Sequence, residues 1–143
     1  MIEFWREAGP SRWFKKDDAF DRAFRDRFLT AHEAAARGEL DSWSSSADGA
    51  LAICILLDQF PRNAFRGSAR MFATDDKARE IARAALDARL DSLVEEPMRQ
   101  FFYLPFMHSE SPQDQDRAVE LSARIGPDSL HWAELHRDII TRF

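Results

Sequence analysis

Cysteine occurs once in the 143 residues, at Cys54, which excludes an intramolecular disulfide framework and a multi-cysteine zinc site. Glycine occurs five times and scattered, so no Walker, Rossmann or Gly-x-Ser-x-Gly pattern exists. The longest apolar run is Ala50–Leu57, far short of the roughly 20 residues that span a bilayer. Met1 to Phe14 carries Glu3, Arg6, Glu7 and Arg12 and no apolar stretch of the signal-peptide kind. No membrane association is expected, and the expected location is the cytoplasm. Strict alternation of apolar and polar residues is missing, as are Asn-Gly and Asp-Gly hairpin turns. The formal net charge of -5 argues against a general nucleic-acid binder, so no nucleic acid is expected as a partner.

What the chain has in excess is arginine, 17 against three lysines, and phenylalanine, 12 residues against a single tyrosine. Phe20, Phe24 and Phe28 recur every four residues and continue in Ala31 and Ala35, one apolar stripe of a helix from about Asp17 to Arg37. Asp17 or Asp18 is placed to cap it and Gly38 to stop it. A second helix is expected from Asp48 and, with Ala50–Leu57 apolar almost all round, should be the central one. Pro61 is expected to end it near Gln59, leaving Pro61 to Gly67 as a loop. A third helix follows Thr74, read as its cap. A fourth spans about Glu95 to Leu104, where Pro105 should interrupt it. A fifth opens at Ser111-Pro112, and a sixth at Asp128. The fold class expected is all-α, antiparallel helical hairpins in a bundle of about six helices, forming a single domain over residues 1–143.

Two segments carry polar residues where packing alone would not put them. In the first, the apolar helix runs into Asp58, Gln59, Arg62, Asn63 and Arg66, interleaved with Phe60 and Phe65. An ion costs several kcal/mol to bury unless it is paired, so this cluster must lie in a cleft, in a paired network or at the surface. In the second, Arg99 to Met107 is largely apolar and leads into His108, Ser109 and Glu110. Histidine serves as acid, base or ligand near neutral pH, whereas a serine here also serves simply to cap the next helix.

The strings Ile55-Leu56-Leu57-Asp58-Gln59-Phe60-Pro61-Arg62-Asn63, Phe65-Arg66-Gly67 and Phe101-Phe102-Tyr103-Leu104-Pro105-Phe106-Met107-His108-Ser109-Glu110 resemble the hallmark motifs of the DUF924 family. Phe72-Ala73-Thr74-Asp75, Gln115-Asp116 and His136-Arg137-Asp138-Ile139-Ile140 extend the likeness over nearly the whole chain. The resemblance implies a tetratricopeptide-like all-helical fold and no established reaction. Met107 stands where the family typically has Glu. Relatives also continue beyond the position of Phe143, so the resemblance implies a domain that lacks a C-terminal segment.

Cys54 sits in apolar surroundings with no base nearby in sequence, which makes an inert thiol. His131 and His136 are five apart and share no helix face, and no HExxH spacing occurs, so no metal and no cofactor are expected. Arginine forks suit carboxylate and phosphate. The favoured reading is therefore a cleft that recognises a small anionic molecule or a peptide carboxylate. Its expected ligand-binding residues are Asp58, Gln59, Arg62, Asn63, Arg66, Arg99, Tyr103, His108, Glu110 and His136. Two alternatives stand beside it: an acid–base hydrolase using Asp58 or Glu110 with His108, and a protein–protein interaction scaffold. A carboxylate within hydrogen-bond reach of His108 is what an enzyme would require. A homo-oligomer is left open, and Trp5 and Trp13 read as clamps onto the chain's own core.

Overall fold

The computed structural model describes residues 1–142 and is all-α: among the described residues there is no strand. Phe143, read above against the family's continuing segment, lies outside the described residues. Two short helices, α1 (Ile2–Ala8) and α2 (Pro10–Trp13), precede the long α3 (Asp18–Ala36). Next come α4 (Ala47–Cys54) and, beyond a π-helical turn over Ile55–Gln59, α5 (Phe60–Ala64). The chain then forms α6 (Asp75–Asp87), α7 (Glu96–Met107), α8 (Pro112–Ala123) and α9 (Pro127–Arg142). Consecutive helices α6 to α9 pack on one another in chain order, as short loops between helices require. No helix among the described residues is long and apolar enough to cross a membrane.

The local signals in the sequence account for most of these elements. Asp17 caps α3 through Oδ1, which accepts from the amides of Ala19 and Phe20. The chain leaves α3 through Gly38 at φ +83°, a left-handed turn that favours glycine. Gly49, in the first turn of α4, is needed for a different reason: a Cβ there would meet the Trp43 carbonyl oxygen at 2.0 Å. Residues Ala50 to Leu57 are buried on every side, so they form the centre on which the other helices pack. The Phe20/Phe24/Phe28 stripe closes on this centre, with Phe24 edge-on to Phe60 at 5.1 Å between ring centres. Trp5 and Trp13 stack at 6.1 Å and are buried against Phe101, which makes the N-terminal segment part of the core.

Three expectations about prolines and caps need correction. The central helix does not end near Gln59. It continues through Pro61 to Ala64, because the π-helical turn lets the backbone absorb a residue with no amide hydrogen. The helix α7 likewise passes Pro105 and ends at Met107. Pro105 forfeits one backbone bond, and the burial of Phe106 and Met107 in the continued helix offsets it. Thr74 stands at the N-terminus of α6 but does not cap it, since its hydroxyl donates to the Leu57 carbonyl instead, at 2.6 Å.

Candidate functional site

Helical spacing brings three faces together around one cleft of about 440 Å³. The π-helical turn and α5 supply Gln59, Arg62 and Asn63, with Arg66 one turn on. Helix α7 supplies Gln100, Tyr103, Leu104 and Met107, followed by His108. Helix α9 supplies Ser129, Trp132 and His136. Each set follows the i, i+3, i+4, i+7 spacing of a helix face, complete in the first two and partial in α9. Trp13 and Phe14 close the cleft from the N-terminal segment.

Beneath the floor lies Asp58, 1% exposed. Its Oδ1 is 2.8 Å from Nδ1 of His108, and its Oδ2 accepts from Nε2 of Gln59 at 2.9 Å. Arg62 approaches Oδ1 at 3.4 Å. Burial works to raise the Asp58 carboxyl, but His108, Arg62 and Gln59 outweigh it and hold it below the usual carboxylate range. An ionised carboxylate only accepts, so the His108 nitrogen facing it carries the hydrogen. The lone pair of the imidazole then sits on Nε2, the nitrogen away from Asp58, and His108 lines the cleft.

His108 is held from behind. Nε2 of Gln115, a fully buried side chain, donates to the carbonyls of Met107 and Ser109 at 2.7 and 2.6 Å, on either side of His108. Ser109 in turn donates its hydroxyl to Asp114, which also receives Arg83 and Arg79. The turn that presents the imidazole is thus tied to α8 and α6.

Arg62 and Arg66 each pair with a carboxylate. Arg62 grips Asp75 with both terminal nitrogens, at 2.7 and 3.0 Å, and donates to the Asp58 carbonyl at 2.8 Å. Arg66 donates through Nε to Asp21 at 2.8 Å, and Asn63 donates to the other oxygen of the same carboxylate at 3.0 Å. Across the cleft, the ring of His136 lies 6.4 Å from that of His108, and its Nδ1 donates to the Trp132 carbonyl at 2.8 Å.

Of the residues singled out in the sequence, Gln59, Arg62, Asn63, Arg66, Tyr103, His108 and His136 line the cleft, with Asp58 directly behind His108. Arg99 and Glu110 do not. Arg99 turns back to donate to the Val94 carbonyl at 3.0 Å, and Glu110 is exposed on the turn before α8. Tyr103 is at the cleft, but its hydroxyl is committed to Asp91 at 2.8 Å, so it offers the ring. Sequence reasoning missed Trp13, Phe14, Gln100, Leu104, Met107, Ser122, Ser129 and Trp132. The spacing of Gln100, Leu104 and Met107 with Tyr103 was the available signal for one wall. Nothing in the chain order marks Trp13 or Trp132 as its neighbours. Among the described residues no group of three His, Cys, Asp or Glu side chains is arranged to hold a metal ion. Cys54 is fully buried, and burial, with Asp58 adding to it, pushes its thiol far above the range in which a thiolate forms.

The family whose pattern covers this arrangement is described as a bacterial protein of unknown function, DUF924, and it matches residues 1–143. The chain belongs to the DUF924 family. A solved structure described as a protein of unknown function from Agrobacterium tumefaciens is similar to it throughout. The two are 54% identical with a TM-score of 0.98, over 99% of this chain and 81% of that one. No curated protein matches. The DUF924 motif residues Asp58 and His108, far apart in sequence, are the pair that meets beneath the cleft.

Proposed function

We propose that this DUF924 chain is an acid–base enzyme acting on a small molecule held in the cleft, with His108 as the group that moves the proton. The observation that carries the reading is the 2.8 Å contact between the buried Asp58 carboxylate and Nδ1 of His108. A carboxylate on one imidazole nitrogen fixes the tautomer, orients the ring and stabilises the imidazolium once a proton arrives. Nε2 is then the base. In a hydrolysis it takes a proton from water as the oxygen attacks, and the imidazolium returns that proton to the leaving group. The wall of Trp13, Phe14, Leu104, Met107 and Trp132 supports a substrate with an apolar body. A lone, buried and inert thiol supports a cytoplasmic setting.

Simple anion recognition has less support. It depended on free guanidinium groups, and both Arg62 and Arg66 are paired with carboxylates.

The test uses 5-nitrobenzisoxazole, a flat aromatic probe that opens when a base removes one C–H proton. The wild-type protein should open it faster than buffer. His108→Asn should lose about 100-fold or more of that acceleration. No acceleration over buffer, or an equal rate in His108→Asn, overturns the reading.

A further inference from the structure

The polar groups on the cleft floor share an orientation that the pairing of the arginines conceals. Gln59 donates Nε2 to Asp58 and Asn63 donates Nδ2 to Asp21. Carboxylates only accept, so the amide nitrogens must face them, and the amide oxygens are the ends left over. Both side chains are 4% exposed, both line the cleft, and among the described residues neither oxygen receives a hydrogen bond. The two histidines repeat the pattern. Nδ1 of His108 is committed to Asp58 and Nδ1 of His136 to the Trp132 carbonyl, so each neutral ring keeps its lone pair on Nε2.

Four acceptors therefore converge on one cleft: Oε1 of Gln59, Oδ1 of Asn63 and the two Nε2 atoms. The strongest donors nearby are already paired with carboxylates. Arg62 is bound to Asp58 and Asp75, and Arg66, whose terminal nitrogens remain, is neutralised by Asp21. With His108 neutral, the ion pairs of the floor comprise three carboxylates and two guanidiniums, which leaves one negative charge in excess. Above the floor, the indole of Trp132 and the ring of Phe14 stand open to solvent, and aromatic faces attract a cation.

We infer that the cleft takes an amine: a ligand with a protonated nitrogen that donates its hydrogens among the acceptors of Gln59, Asn63, His108 and His136, and an apolar or aromatic body between Trp13, Phe14 and Trp132. The inference deepens the reading of this cleft as a substrate site and replaces the anionic ligand expected from the sequence. An anion brought to the same floor meets four lone pairs and a surplus negative charge. An ammonium group brings three hydrogens to those lone pairs, and the surplus charge favours it.

The probes are three molecules of one shape: 2-phenylethylamine, its N,N,N-trimethyl analogue, and 3-phenylpropionate. Their binding to the full chain is read by isothermal titration calorimetry at pH 7.5. 2-Phenylethylamine should bind. The trimethyl analogue, which keeps the charge but has no hydrogen to donate, should bind about tenfold more weakly, and 3-phenylpropionate more weakly still. His136→Phe, at a half-buried position, keeps a ring of similar size and removes one acceptor. It should weaken 2-phenylethylamine about tenfold while its circular dichroism spectrum stays that of the wild type. Equal or tighter binding of 3-phenylpropionate overturns the inference, as does equal binding of the trimethyl analogue. Absence of binding by all three also overturns it. The titration involves no turnover, so amine binding without proton abstraction from 5-nitrobenzisoxazole would overturn the catalytic reading alone. The opposite result would overturn the amine alone.

Discussion

The hydroxyl of Thr74 donates to the carbonyl of Leu57 at 2.6 Å, across the helix turn that contains Pro61. In an α-helix the Leu57 carbonyl would bond the amide of residue 61, which proline lacks. In the π-helical register, seen here as Phe60 N–H to the Ile55 carbonyl, it is the Leu56 carbonyl that would face residue 61. That carbonyl accepts from Nδ1 of His32 at 2.8 Å. Two side chains from two other helices thus donate to the two carbonyls that the one missing amide hydrogen of Pro61 could have served, and the turn they stabilise is the one that carries Asp58 and Gln59.

Thr74→Val keeps the shape of the side chain and removes its donor, leaving the buried Leu57 carbonyl without a partner. Chemical denaturation should show a loss of about 1–3 kcal/mol. A smaller loss in the variant would mean that water replaces the hydroxyl.

His32 makes stability depend on pH in the mildly acidic range. Burial, which outweighs the Leu56 bond, holds its imidazole below the ordinary histidine value of 6.5. The folded state therefore resists protonating it, and the unfolded chain does not. The sign follows: stability is complete above pH 6.5 and declines as pH falls towards the folded value. Unfolding midpoints measured from pH 7.5 to 5 should fall for the wild type, and fall less for His32→Gln.

Asp58 acts further down the scale. Its carboxyl is held below the ordinary aspartate value of 3.8, so the stability it contributes is complete above that pH and is lost as pH falls through the folded value. Asp58→Asn removes the charge while keeping the shape, and should cost about 3–5 kcal/mol because Arg62 and His108 lose their buried partner. Nitrogen NMR of the imidazole gives a second readout: the hydrogen on Nδ1 of His108 should no longer be held there in Asp58→Asn.

Gln115→Leu tests how His108 is positioned. The substitution removes the donor to the Met107 and Ser109 carbonyls on either side of His108. Proton abstraction from 5-nitrobenzisoxazole should fall about tenfold with its pH profile unchanged, since the base is displaced and not replaced. A purely structural role for Gln115 would lower the unfolding midpoint and leave the rate per folded molecule intact.

Arg99→Ala and Glu110→Gln serve as internal controls. Both residues lie off the cleft, so 2-phenylethylamine binding should stay within about twofold of the wild type.

Much of this molecule was legible in the amino-acid order because its causes are local. The Phe20/Phe24/Phe28 stripe, the Asp17 cap and the all-apolar Ala50–Leu57 run each act within a few turns, and helical spacing exposes them. The two polar motifs could be found for a related reason, since charged groups directly after the most buried helix require partners wherever they lie. Which partners they take is a long-range matter. Asp58 and Glu110 were equal candidates to stand beside His108, and only the packing of α7 against the π-helical turn chose Asp58. Arg62, Arg66 and Arg99 looked alike as free cations. Tertiary contacts with Asp75, Asp21 and the Val94 carbonyl engage all three, and a basic motif becomes a floor rich in acceptors. The prolines divide in the same way. Their missing amide hydrogens are a property of the sequence, whereas the hydroxyl and imidazole that let the helix continue past Pro61 come from α6 and α3, where only the folded chain could bring them.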